Sequence, residues 1–153
     1  MSHIWSDGEK LRRWLDVELA ALEGWAEFGA VPREAVDAIR ERAVVPTPER
    51  VAEIELETNH DVAAFVDAVA EGLGEDGRFF HYGLTSSDVL DTALSLAVQD
   101  AGALLLDGLD GAFVAVVARA EEHRETICMP PWRSTIRSDS ASISSRAAGL
   151  SRW

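Results

Sequence analysis

The sequence predicts an all-α fold: a small helical N-terminal domain leading into the first long helix of a helical bundle, with a disordered C-terminal tail. Three observations predict it. Apolar residues recur at helical spacing through most of the first 129 positions, each run bounded by capping residues, glycine or proline. The last such run is far longer than the others. After Met129 the composition changes abruptly, with seven serines and four arginines against one aspartate in residues 130–153 and no apolar periodicity. The expected boundaries are 1–84 for the helical N-terminal domain, 85–129 for the incomplete start of the bundle domain, and 130–153 for the tail.

The elements follow in order. Ser6 followed by Glu9 is a capping-box pattern, after which Leu11, Trp14, Leu15, Leu19, Leu22 and Trp25 trace one helix face. Gly29 is the expected stop. Pro32 suits the first turn of a second helix running to about Ala43. Thr47 caps, and Pro48 opens, a short third helix to about Glu57. A fourth runs from about His60 to Leu73 and buries Val62, Phe65, Val66 and Val69, with Gly72, Gly74 and Gly77 marking the loop beyond. Thr85, Ser86 or Ser87 then caps the last helix, whose first turn holds Asp88 and Asp91 at the positive end of its dipole. Apolar positions continue through Leu94, Ala97, Leu105, Leu109, Phe113, Val116 and Val117 to about Arg124. A helix of about 38 residues is roughly 57 Å long and cannot bury its apolar face against four short helices. It requires partner helices that these residues do not include.

Composition excludes several functions. With 153 residues and 47% hydrophobic content the chain can form a sizeable core. A net charge of −13 argues against nucleic acid as a partner, because phosphate binding needs clustered Lys and Arg. The N-terminus lacks the apolar run of a signal peptide, and charge or glycine interrupts each apolar stretch, so no membrane span is expected. The single cysteine, Cys128, excludes an internal disulfide framework, fits a reducing cytoplasm, and reads as a packing residue rather than a nucleophile. No His or acidic pair has convincing metal-ligand spacing, and there is no phosphate-binding glycine motif.

Two polar segments depart from the packing pattern. Thr58-Asn59-His60-Asp61 stands at a helix start, where Asn59 or Thr58 reads as a cap and His60 as a surface residue; a site is the other reading. His81-Tyr82-Gly83-Leu84-Thr85-Ser86-Ser87-Asp88 feeds a glycine turn into three hydroxyl residues at the head of the long helix. That arrangement suits a carboxylate or phosphate, and equally a simple cap without ligand.

The run from His81 to Ala93, HYGLTSSDVLDTA, is similar to the first signature region of the adenylosuccinate lyases, in the fumarase/aspartase superfamily. Ile4-Trp5-Ser6-Asp7, Trp14-Leu15, Glu18-Leu19-Ala20 and Glu57-Thr58-Asn59-His60-Asp61-Val62 resemble the same family, so the likeness covers about residues 4–129. It implies a cytoplasmic homotetramer whose subunits build a central helical bundle, each active site shared by three subunits. The implied reaction is elimination of fumarate from adenylosuccinate, giving AMP, and from the succinylated aminoimidazole carboxamide ribotide in purine biosynthesis, with a small nucleotide substrate and no cofactor. A base removes the proton beside a carboxylate, an acid protonates the departing nitrogen, and hydrogen-bond donors stabilise the aci-carboxylate between.

Position by position, the resemblance assigns catalysis to His60 and His81, and substrate contacts to Asn59, His60, Asp61, Thr85 and Ser86. It also marks departures. Met1-Ser2-His3 stands where the family has an Arg-Tyr pair, Pro130-Pro131-Trp132-Arg133 stands near its Thr-His and His-Ala-x-Pro-Thr segments, and its mobile serine loop is absent. The expectation is therefore a truncated or frame-shifted lyase fragment, inactive alone. The alternatives are a non-catalytic helical interaction module derived from a lyase N-terminal domain, and a lyase acting on another succinyl or carboxylated substrate.

Overall fold

The computed structural model describes residues 1–127; the expected disordered tail at 130–153, and Cys128, lie outside the described residues. The described residues fall into two units, Met1–Phe113 and a second that begins at Val114. The elements are a short 3-10 turn at Ser2–Trp5, α1 (Asp7–Phe28), α2 (Arg33–Arg42), α3 (Pro48–Thr58), α4 (Asp61–Ala70), a second 3-10 turn at Gly74–Phe79, and α5 (Ser86–Glu122). No strand occurs among the described residues. The all-α expectation holds.

Local capping chemistry explains most of the helix ends. The Ser6 hydroxyl accepts from the Glu9 N–H at 3.3 Å, and Gly29 closes α1 in the left-handed conformation at φ 81°. The Thr47 hydroxyl accepts from the Arg50 N–H at 3.2 Å, with Pro48 at the first position of α3. α4 ends at Ala70, three residues earlier than its apolar pattern suggests. Beyond Ala70 the Gly72 and Leu73 N–H groups bond only three residues back, to Val69 and Ala70, and Gly74 then takes φ 61°, so the helix tightens into a turn that carries Leu73 and ends there. The segment expected as loop continues as the 3-10 turn Gly74–Phe79. The N-terminal turn at Ser2–Trp5 had no counterpart in the apolar pattern.

The first unit packs around α1 and α4. Leu11, Trp14, Leu15 and Leu22 of α1 meet Val36 and Ile39 of α2, Val62, Phe65 and Val69 of α4, and Val89 and Ala93 of α5. Trp14 and Phe65 make an edge-to-face pair with centroids 5.4 Å apart, and Phe80 leans on Phe65 at 6.3 Å. Buried apolar area of this kind is the main stabilising term. Two charged side chains of α1 are buried as well, Arg13 and Glu18. Arg13 reaches Glu9 at 3.1 Å and Asp100 of α5 at 2.9 Å, tying the two helices together.

α5 buries only Val89, Ala93, Ala97 and Ala101, a ladder of small residues at i, i+4 spacing that lets the helix lie close to its neighbours. Its other apolar residues, including Leu94, Leu105, Leu109, Phe113 and Val116, are exposed. This matches the expectation of a rod too long for its own domain. By length and composition alone α5 is also sufficient to cross a bilayer, which departs from the expectation of no such stretch. Asp100, Asp107 and Asp110 lie inside it, and an aspartate near a bilayer centre costs about 2.5–3.5 kcal/mol.

Candidate active site

The turn that carries the signature run is held from below. Phe80 is buried in the core, and Tyr82 meets the edge of Trp25 with centroids 5.6 Å apart. Gly83 adopts φ 71° and approaches the Trp25 ring so closely that a Cβ there would lie 2.6 Å from its Cζ2. Thr85 then opens α5 through a reciprocal box: its N–H and hydroxyl donate to the Asp88 carboxylate at 2.7 and 2.8 Å, and its Oγ1 accepts the Asp88 N–H at 3.4 Å. Those donors hold the Asp88 carboxyl below its ordinary range, the Thr85 N–H contributing most.

Between these anchors His81 takes a left-handed backbone, φ 62°. Such a conformation costs a non-glycine residue about 1–2 kcal/mol. It places the His81 Nδ1 2.6 Å from Oε1 of Glu18, a residue 63 positions earlier and wholly buried on α1. The second Glu18 oxygen has no hydrogen-bond partner among the described residues. Burial pushes the Glu18 carboxyl up, and the His81 contact pulls it partly back.

The sign of the resulting linkage is fixed. A carboxyl whose pKa is higher folded than unfolded holds its proton longer in the native state. Its favourable contribution is complete below the unfolded pKa and is lost as pH rises through the folded one. Urea midpoints of the chain and of Glu18→Gln, compared at mildly acidic and at neutral pH, are expected to converge in acid. Towards neutrality they should separate in favour of the variant. Parallel pH profiles would show that Glu18 does not titrate in this way.

The second segment is a helix junction. Asn59 closes α3 in the left-handed region at φ 51°, and the Thr58 hydroxyl donates to the His60 carbonyl at 3.1 Å. His60 caps α4 with its ring: Nδ1 accepts the Ala63 N–H at 3.2 Å. An accepting Nδ1 carries no proton, so neutral His60 bears its hydrogen on Nε2. The Asp61 carboxylate takes the Val62 N–H at 2.7 Å.

His60, His81 and Ser86 come together as walls of one cleft of about 240 Å³, completed by Val62, Ala63, Val66 and Asp67. The heads of α4 and α5 both meet it, so two positive helix-dipole ends face the same space, an arrangement that favours an anionic group. Asn59, Asp61 and Thr85 are not among its walls. Asn59 turns its amide to the Glu57 carbonyl, Asp61 borders a separate pocket beside α1 and α3, and Thr85 is engaged with Asp88. Glu18 was absent from the residues singled out for chemistry. The signal that marks it is an acidic residue in the apolar stripe of α1, four positions from both Trp14 and Leu22. Among the described residues no group of three or more His, Cys, Asp or Glu could hold a metal ion.

Comparison with known proteins joins these features to a family. The lyase family model matches residues 1–130. Adenylosuccinate lyase of Bacillus subtilis is 46% identical over 129 residues, and that of Synechocystis sp. is 48% identical over 127 residues. The chain spans about 30% of the length of these relatives, which match 84% and 83% of it. Among solved structures, fumarate lyase from Mesorhizobium sp. BNC1 superposes with a TM-score of 0.79 at 25% identity, covering 89% of this chain and 32% of that one. The β-carboxy-cis,cis-muconate cycloisomerase of Acinetobacter calcoaceticus shares the fold, with a TM-score of 0.68 at 22% identity. Matched by the family model over residues 1–130 and 46–48% identical to these relatives over the same stretch, the chain belongs to the lyase family.

Proposed function

We propose that these residues form the N-terminal part of an adenylosuccinate lyase. The whole protein eliminates fumarate from adenylosuccinate and from the succinylated aminoimidazole carboxamide ribotide, in the cytoplasm and without a cofactor. The observation that carries this reading is the single cleft walled by His60, His81 and Ser86 at the heads of two helices. Identity of 46–48% to adenylosuccinate lyases across the same stretch supports it. In this reading His60 and His81 serve catalysis, Asn59, His60 and Asp61 belong to the segment that lines the substrate, Thr85 and Ser86 hydrogen-bond substrate oxygens, and residues 85–129 begin the bundle domain. The exposed Leu104, Leu105, Leu106, Leu109 and Phe113 of α5 support assembly into a homotetrameric bundle, since so continuous an apolar surface favours burial by further helices. The chain alone is inactive, because the catalytic groups the family supplies from elsewhere are needed to complete the site.

A chimera tests this directly. Residues 1–127 replace the aligned segment of the Bacillus subtilis enzyme, and fumarate release from adenylosuccinate is followed spectroscopically. The chimera is expected to be active, and His81→Gln within it should lower kcat/KM about a hundredfold or more, the usual scale for a positioned acid–base group. An assembled chimera without activity, or an active one indifferent to His60 and His81, would refute the assignment.

A further inference from the structure

We propose that Glu18 is the positioning residue of the cleft: its buried carboxylate keeps the His81 proton on Nδ1, so that His81 and His60 present opposite tautomers to the same space. The inference deepens the lyase reading and rests on it for the location of the site.

Two separate costs meet at this one pair. Glu18 has no exposed surface and, among the described residues, a single hydrogen-bond partner, His81, although a carboxylate in an apolar interior is expensive to keep. His81 reaches that partner only from a left-handed backbone that disfavours every residue with a Cβ. An apolar residue at position 18 and a glycine at position 81 would remove both costs. The pairing therefore serves something besides stability. A histidine that donates Nδ1–H to a carboxylate has its ring orientation fixed and a bare Nε2, able to accept a hydrogen bond. His60 is set the other way by the backbone, since its Nδ1 accepts from Ala63 and its Nε2 keeps the hydrogen. One cleft is thus walled by two imidazoles of opposite tautomer, one with a bare Nε2 and one with a protonated Nε2. That combination can hold a group that gives one hydrogen bond and takes another.

The four histidines of the chain make the test direct. Long-range ¹H–¹⁵N correlation spectra of the full ¹⁵N-labelled chain at mildly alkaline pH distinguish protonated from bare ring nitrogens, and single His→Asn variants assign them. His81 is expected to be protonated on Nδ1 and bare on Nε2, with His60 reversed. Glu18→Gln removes the acceptor-only carboxylate and leaves an amide able to accept or to donate at Nδ1, so Nε2–H should appear on His81 beside Nδ1–H while His60 is unchanged. A proton on Nε2 of His81 in the unaltered chain, or His81 resonances indifferent to Glu18→Gln, would overturn the proposal. Should Glu18→Gln fail to fold, the spectrum of the unaltered chain decides alone. Because no turnover is read, an inactive chimera refutes the reaction while leaving the tautomers as observed, and the converse result refutes only the role of Glu18.

Discussion

Phe65→Ala should lower the free energy of unfolding by about 3–5 kcal/mol, the range for removing a fully enclosed aromatic ring. Phe65 has no exposed surface and sits between Trp14 and Phe80, so its loss leaves two rings facing a void. Neighbouring side chains have little freedom to close that space: Val62 and Val69 are branched at Cβ and already buried on the same helix. Since domains of this size are stable by only about 5–15 kcal/mol, the variant is expected to be largely unfolded at moderate urea concentration. Equilibrium unfolding followed by tryptophan fluorescence checks it, because Trp14 is the residue that loses its edge-to-face partner. A loss under about 1 kcal/mol would mean that the core is not arranged around this ring.

Gly83→Ala should cost about 2–5 kcal/mol through two additive effects. A left-handed backbone disfavours alanine by about 1–2 kcal/mol, and a Cβ 2.6 Å from Trp25 forces the ring or the turn to move, an overpacking cost of about 1–3 kcal/mol. The comparison is Gly24→Ala, in the middle of α1 with nothing within 4 Å of its would-be Cβ. There alanine should stabilise by about 0.5–1 kcal/mol through helix propensity. The pair separates turn geometry from composition in one thermal-melting experiment. The Gly83 variant should also alter the near-ultraviolet circular dichroism of Trp25, because Tyr82 rests on that ring from the same turn. Equal and small effects at both positions would contradict the close approach.

What the sequence made legible is mostly local. The Ser6 and Thr47 caps, the Gly29 stop and the opening of α5 depend on contacts within four residues, so residue order alone announces them. The end of α4 was harder to place. Apolar spacing runs on to Leu73, but the glycines at 72 and 74 break the helix, and Leu73 enters the core from a turn. The segment at residues 58–61 admitted two readings, a cap by Asn59 or Thr58 or a site; the cap on α4 is made instead by the ring of His60, which also walls the cleft. Glu18 illustrates what stays hidden. Its partner is 63 positions away, and only the folded chain brings α1 beneath the signature turn. Arg13 is similar, because its ion pair with Asp100 joins helices that the local pattern treats separately. The length of α5, by contrast, was visible at once. So was its consequence: a run of leucine and phenylalanine this extended cannot be covered by the short helices before it.

The two left-handed residues among those described that are not glycine, Asn59 and His81, bear on how this protein would respond to selection for heat resistance. Asparagine tolerates that backbone, so a glycine at position 59 offers only a small gain and takes away an amide that bonds the Glu57 carbonyl and that the lyase reading places against the substrate. At position 81 the same exchange would relieve more strain, and it would strip the imidazole from Glu18. Evolution towards thermal endurance therefore gains little at the first turn and is barred from the second for as long as the ring is in use, which makes a retained histidine there a record of continuing work.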